Sequence, residues 1–317
     1  MNMLIKILIA AFLMPISAMA EPLEITVTPI PLYADNPDRI TVGALTYKGG
    51  LHLRAGDPRF GGFSGLGVSA DGARIVSVSD RGMSLSAKLS YDGRGNLNGL
   101  TDTDLGALAD LNGESLVGKR WSDAESMSPG VEGEIIVAFE RDHRLWRYDP
   151  GATNARALRP PDELAGLSGN AGIEALTLLN DGRLFAIAEG STDEDGSVAW
   201  VSKPDGWEVL IYITGNGFRP TGAATLPNGD VLVLERFYTP RAGVRIRIKH
   251  VTARAIFAGA EVTGEIIADL RPPMSIDNFE GIDVRQGRDG ETLVYLISDD
   301  NFNDDQRTLL LMFALGG

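Results

Sequence analysis

Eight carboxylates recur at one kind of place in this chain. Asp80, Glu125, Glu140, Glu174, Glu189, Glu235, Glu280 and Asp299 each open or close a short segment that reads apolar run, turn, apolar run. Carboxylates gathered at one spot cannot all stay ionised unless something compensates them. They bind a cation, pair with arginine, or take up protons. An oxygen-only set suits calcium, a hard cation that takes 6–8 oxygen ligands. Asp80, Glu125, Glu140, Glu174, Glu189, Glu280 and Asp299 are the expected ligands, and Glu125 and Glu174 are also candidate general bases. Three arginines directly follow acids, in Asp80-Arg81, Glu140-Arg141 and Glu235-Arg236. Guanidinium groups clamp phosphate oxygens well. The chemistry these residues suggest is calcium-assisted hydrolysis of a small phosphorylated substrate, the cation lowering the pKa of water. Two other readings use the same residues: a carboxylic-ester or lactone hydrolase, and a non-catalytic protein that binds a ligand or another protein.

The acids meet only if the segments carrying them are arranged in a ring. Five copies begin at Ser64-Gly65-Leu66, Glu125-Ser126-Met127, Glu174-Ala175-Leu176, Thr221-Gly222-Ala223 and Glu280-Gly281-Ile282. Four turn at Asp71-Gly72, Asp181-Gly182, Asn228-Gly229 and Asp289-Gly290, pairs preferred in tight hairpins. The other turns between Pro129 and Gly133. In an antiparallel hairpin the residue before the first strand and the residue after the second lie at the same end. If the first strands line an axis, all eight acids face one rim. The copies start 47 to 61 residues apart, close to the length of a four-stranded propeller blade. The expected fold is all-β, a β-propeller of six blades in preference to five or seven. A sandwich with accidental repetition is the plainer alternative. The sixth blade would combine residues 45–53 with 309–313, so that strands from both chain ends close the ring and hide open edges. No Pro/Ser-rich linker divides residues 21–317, which are expected to form a single domain.

Composition removes other classes. A formal net charge of −14 disfavours nucleic acid, whose binding rests on clustered Lys and Arg. There is no cysteine, hence no disulfide and no thiolate chemistry. Lys6, the apolar stretch 8–16 and Ala18-Met19-Ala20 read as a cleaved export signal over residues 1–20, too short for a comfortable membrane span. The expectation is a periplasmic or secreted monomer acting on a small molecule. His52, His143 and His250 are too scattered for a histidine-rich zinc site. Ser64 lacks the second glycine of a nucleophile elbow, since Leu66 stands there. Residues 299–305 form the densest run of oxygen donors but lack the central glycine and closing glutamate of an EF-hand loop.

Several motifs, in order, resemble a known family. They are Phe60-Gly61-Gly62-Phe63-Ser64-Gly65-Leu66, Ser79-Asp80-Arg81-Gly82, Asp123-Ala124-Glu125-Ser126, Phe139-Glu140-Arg141, Ser298-Asp299-Asp300-Asn301-Phe302 and Gln306-Arg307-Thr308-Leu309-Leu310. Over roughly residues 43–315 the chain looks like the phytase-like family, often labelled "esterase-like activity of phytase". The resemblance implies a β-propeller, an exported location, and hydrolysis of phosphate or carboxylic esters. Related motifs commonly read Glu-Gly-Leu where this chain has Ser64-Gly65-Leu66 and Thr221-Gly222-Ala223, so two glutamates of a symmetrical ring are replaced by hydroxyls.

Overall fold

Four of the recurrent turns depend on glycine in the left-handed region: Gly72, Gly182, Gly229 and Gly290 have φ between 71° and 93°. Gly133, in the copy without a recognisable turn pair, adopts φ 89° and does the same work. The computed structural model describes residues 20–193 and 196–316. Of the expected export segment only Ala20 falls among them.

Each hairpin grows into one antiparallel blade, and the described residues form five. Blade I runs outward from Phe63–Val68 through Arg74–Ser79 and Met83–Tyr91 to Leu97–Ala107, with Glu21–Pro22 at its outer edge. Blade II contains Ala124–Pro129, Ile135–Phe139, Arg144–Tyr148 and Arg156–Leu158. Blade III contains Ile173–Leu178, Leu184–Asp193, Gly196–Lys203 and Gly206–Ile213, with Glu261–Val262 added in parallel. Blade IV contains Arg219–Thr225, Val231–Thr239, Gly243–Val251 and Glu265–Leu270. Blade V contains Asn278–Gln286, Thr292–Asp299 and Thr308–Leu315, continued by Leu45–Ala55 and Ile25–Pro29 from the other end of the chain. The first strand of each blade packs on that of the next, and blade V returns to blade I.

The ring therefore has five blades, not the expected six. The strands assigned to a sixth blade are present, and they do join the chain ends. However, Leu45–Ala55 pairs with Thr308–Leu315, and that strand pairs with Thr292–Asp299. The chain ends complete the fifth hairpin's own sheet, so no separate blade remains to be built.

Apolar clusters fill every seam. Leu234, Ile246, Phe279 and Leu296 join blades IV and V, while Leu66, Leu85, Tyr295 and Leu310 join V and I. Comparable clusters lie between III and IV, I and II, and II and III. Burial of each such large side chain stabilises the fold by about 1.5–3 kcal/mol. Polar bonds fix the seams' alignment. The Leu178 amide donates to Ser128 Oγ (2.8 Å), and the Val68 amide to Asp283 Oδ2 (2.6 Å).

Candidate functional site

Strand register decides which side chains reach the axis. In every blade the first and second strands pair regularly except at one point, where the first strand carries one extra residue. The extra residues are Ser64, Glu125, Glu174, Thr221 and Glu280. A bulge of this kind leaves its residue unpaired and re-aims the side chain. The five residues that mark the sequence repeat are thus the five bulges. The residue after each is small: Gly65, Ser126, Ala175, Gly222 and Gly281. Neighbouring blades come too close for more. A Cβ on Gly65 would stand 2.6 Å from that of Met127, and one on Gly222 2.7 Å from the Glu280 carbonyl oxygen.

The same register defines two further sets. Just before the bulges, Phe63, Ala124, Ile173, Pro220 and Phe279 pair with Ser79, Phe139, Ala188, Glu235 and Ser298. The residues one step on are Asp80, Glu140, Glu189, Arg236 and Asp299. Opposite them stand Gly62, Asp123, Gly172, Arg219 and Asn278. The amides of Asp80, Glu140 and Glu189 donate to the carbonyls of Gly62, Asp123 and Gly172 (2.9, 2.8 and 3.0 Å), while Arg236 pairs with Arg219 and Asp299 with Asn278.

Electrostatics show that the acids converge. Glu125 is pushed well above the usual carboxylate range, first by burial, then by the charge of Glu174, a hydrogen bond with Asp123 and the charge of Glu280. Glu174 is pushed up by burial and then by Glu280, Glu140 and Glu189, with Arg236 opposing. Burial raises Glu280, against which Arg236 and an Asn278 hydrogen bond pull down. Asp299 is raised by burial and then by Glu280. Glu140 is raised by burial, opposed by the Gly172 amide that donates to its Oε1 at 2.6 Å. None of Glu125, Glu140, Glu174, Glu280 and Asp299 has an ion pair with a basic side chain within 4 Å among the described residues.

One oxygen each from Asp123, Glu125 and Glu140 lies within 4.8 Å of the other two, close enough for a single ion to touch all three. The fit to a hard divalent cation is good. The donors are all oxygen, Glu125 and Glu140 are packed there at the cost of raised pKa values, and neither has a basic ion-pair partner among the described residues, whereas Asp123 carries Lys119 and Arg141.

The remaining expected site residues divide clearly. Asp80 reaches the rim but holds Lys119 Nζ at 2.7 Å. Glu189 pairs with Arg219 at 3.0 Å. Arg141 is at the rim, its Nε on Asp123 Oδ2 at 2.5 Å. The Arg236 guanidinium acts on Glu174 and Glu280 and makes no hydrogen bond or ion pair among the described residues. Arg81 turns away: its guanidinium stacks 3.2 Å from the Phe302 ring centre and donates to the Pro58 carbonyl. Glu235 does not join the rim either. Its fully buried carboxylate accepts from Tyr212 (2.8 Å) and Arg247 (2.6 Å) and pairs with Lys249 at 3.0 Å. In blade IV the register puts Arg236, not Glu235, where the other blades have an acid.

Asp123 and Asn278 were not among the sequence candidates. Both stand two residues before a bulge glutamate, so a repeat extended by two positions would have found them. Asn278 Nδ2 donates to Glu280 Oε1 at 2.8 Å and to Asp299 Oδ2 at 3.4 Å. Much of the oxygen-rich loop 299–305 is already spent on hydrogen bonds within the protein. Asp300 accepts from the amides of Gly62 and Phe302 (3.0 Å each) and from Thr308 Oγ1 (2.9 Å). Ser64 donates weakly to the Gly62 carbonyl at 3.4 Å, which leaves it no nucleophile's geometry. His143 Nε2 lies 2.9 Å from the Ser168 carbonyl and donates to it. Beside the rim opens a cavity of about 670 Å³, lined by Arg236, Asn278, Glu280, Asn301 and Gln306 among others.

Residues 58–302 match the phytase-like family described as "Esterase-like activity of phytase". The chain belongs to that family. No curated protein matches the chain. Among solved structures, a putative gluconolactonase is 14% identical, with 81% of this chain and 91% of that one covered at a TM-score of 0.41. A protein of unknown function from Dyadobacter fermentans is also 14% identical, covering 92% and 91% at 0.45. A PQQ-bound aldose sugar dehydrogenase from Streptomyces coelicolor is 12% identical, covering 92% and 99% at 0.44. Likeness at this level carries no chemistry across.

Proposed function

We propose that this phytase-like propeller is an exported, calcium-dependent hydrolase of small phosphate esters, acting as a monomer at the acidic rim. The observation that carries the proposal is the set Asp123, Glu125 and Glu140, with Glu174 and Glu280 beside it: the four glutamates crowd together with no basic ion-pair partner among the described residues, and only Asp123 is held by Lys119 and Arg141. Asp123, Glu125 and Glu140 would hold the ion, which supplies positive charge against a developing oxyanion and acidifies nearby water. Glu174 is the residue best placed to take a proton. It lies beside the ion site, and neither a salt bridge nor a hydrogen bond to a described side chain holds it. Arg236 offers an unengaged guanidinium to an anionic substrate, and Asn278 fixes the orientation of Glu280.

The test is phosphate release from phytate by the purified protein, with calcium and then with chelator. Calcium-dependent release supports the reading. A folded protein that releases none under either condition sinks it as a phosphatase.

A carboxylic-ester or lactone substrate is the second reading, and one observation favours it. Phosphate invites several arginines, yet Arg141 is tied to Asp123 and Arg81 stacks on Phe302, which leaves Arg236 alone. Hydrolysis of p-nitrophenyl acetate with no release from phytate would select it.

A further inference from the structure

Lys119 is a basic side chain that touches acids from two blades at the rim. Its Nζ lies 2.7 Å from Asp80 Oδ2, at the end of blade I's second strand, and 2.5 Å from Asp123 Oδ1, at the entry to blade II. Asp123 is also one of the three carboxylates close enough to share an ion. An ammonium group here therefore takes up oxygen that a divalent cation would use. Burial works against the lysine's charge, but Asp123 and Asp80 outweigh it and hold its pKa above the usual value.

The way Lys119 is mounted lets it leave. It begins a four-residue helical turn, Lys119–Ser122, whose preceding Gly118 provides no side-chain cap. The turn is anchored at its far end, where Arg144 donates to the Trp121 carbonyl and Ser122 is buried. Lys119 itself is 44% exposed, so its side chain can swing into solvent while the backbone stays in place. Asp123 is buried and Asp80 only partly exposed, so the lysine is the member of the contact that is free to move.

We infer that Lys119 is a built-in counter-cation that plugs one edge of the ion site and must be displaced for calcium to bind. The inference rests on the rim being a cation site. It says that the site's affinity is set partly by competition with the protein's own ammonium group.

The experiment is calorimetric calcium titration of the wild type, Lys119→Met, Lys119→Arg and Arg120→Met, with Glu125→Gln as the site-dead reference. Arg120 carries the same charge one residue away but stacks over Trp121, 5.0 Å from its ring centre, and has no ion pair with an acid among the described residues. Lys119→Met is expected to bind calcium about 10-fold more tightly, the scale of removing one nearby competing charge. Lys119→Arg and Arg120→Met should stay near wild type. A wild type too weak to measure beside a Lys119→Met protein that binds would also support the plug. Equal or weaker binding by Lys119→Met overturns it and makes the lysine a brace, with the cation site intact. Equal tightening by Arg120→Met overturns it as a general charge effect. If no variant binds, the plug fails together with the cation site.

Discussion

Blades II and IV share one backbone plan and present opposite chemistry. At the three register positions that face the axis, blade II has Asp123, Glu125 and Glu140, whereas blade IV has Arg219, Thr221 and Arg236. The bulge sits at the same place in both. What differs is only what the bulge and its two neighbours carry. The ring thus has an acidic side and a side that carries two arginines, one of them paired with Glu189. Blade IV does own an acid, Glu235, but one step out of register, where it faces the seam with blade III and neutralises Arg247 and Lys249. In this fold an acid's role follows from register more than from its presence in the repeat.

The largest expected effect comes from breaking the acidic side. Glu125→Gln or Glu140→Gln should weaken calcium binding by at least about 100-fold, since each removes a charged ligand. Without calcium the same variants should be as stable as the wild type or more so. A titration showing unchanged affinity would remove blade II from the ion site. The reciprocal change is Glu235→Gln in blade IV. It strands two buried cations and should cost about 3–5 kcal/mol in denaturant unfolding, while calcium affinity in the folded protein stays the same.

Arg236 sharpens the contrast further. Replaced by glutamine, it should lower kcat/KM for an anionic substrate by about 10- to 100-fold, the scale of a lost charge-assisted contact. A neutral ester should be much less affected. Equal losses on both substrates would show that Arg236 steadies Glu174 and Glu280 and does not touch the ligand.

The comparison also shows what sequence could and could not reveal. The five hairpins, the Asp-Gly or Asn-Gly turns of four of them and the joining of the two chain ends were legible, because turn chemistry and apolar alternation are local. The bulges were visible only as a recurring residue type. Nothing in Glu174-Ala175 or Glu280-Gly281 announces an extra residue in a strand. Without the bulge, the acid-arginine pairs Asp80-Arg81, Glu140-Arg141 and Glu235-Arg236 look equivalent, and the last is not. Register is a property of two strands together, so a one-residue offset in blade IV leaves no trace in either strand alone. The blade count failed for a related reason. Which sheet the terminal strands complete depends on a pairing between residues more than 250 positions apart, such as Leu51 with Leu310.

The acidic side should also control stability against pH. The folded pKa values of Glu125, Glu174 and Glu280 stand above their ordinary 4.5. The folded state then holds more protons than the unfolded chain once the pH exceeds that value. Stability should fall as pH rises from there, and chelated protein should melt at higher temperature at pH 5 than at pH 8. Calcium should remove most of this slope. A chelated protein that melts higher at pH 8 would contradict a ring of uncompensated acids.

A smaller contribution of the same sign comes from a carboxylate that cannot share the ion. Asp283 is buried at the seam where blade V meets blade I, three residues along the strand from Glu280, and accepts the Val68 amide at 2.6 Å. Burial pushes its pKa from 3.8 up to about 7, with the amides of Val68 and Val284 only partly offsetting it. Its stabilising effect is present at acid pH and declines as pH rises from about 4 through 7. Asp283→Asn keeps an oxygen for the Val68 amide and removes the titration. The variant should melt a few degrees higher than wild type at pH 8, and no higher at pH 4, whether or not calcium is present. Calcium dependence separates the two sources of pH sensitivity. The part of the slope that calcium abolishes belongs to the rim. The part that survives calcium and disappears in Asp283→Asn belongs to the closing seam. If calcium abolished the whole slope, the charge on Asp283 would have to be relieved at the seam by a partner other than the two amides.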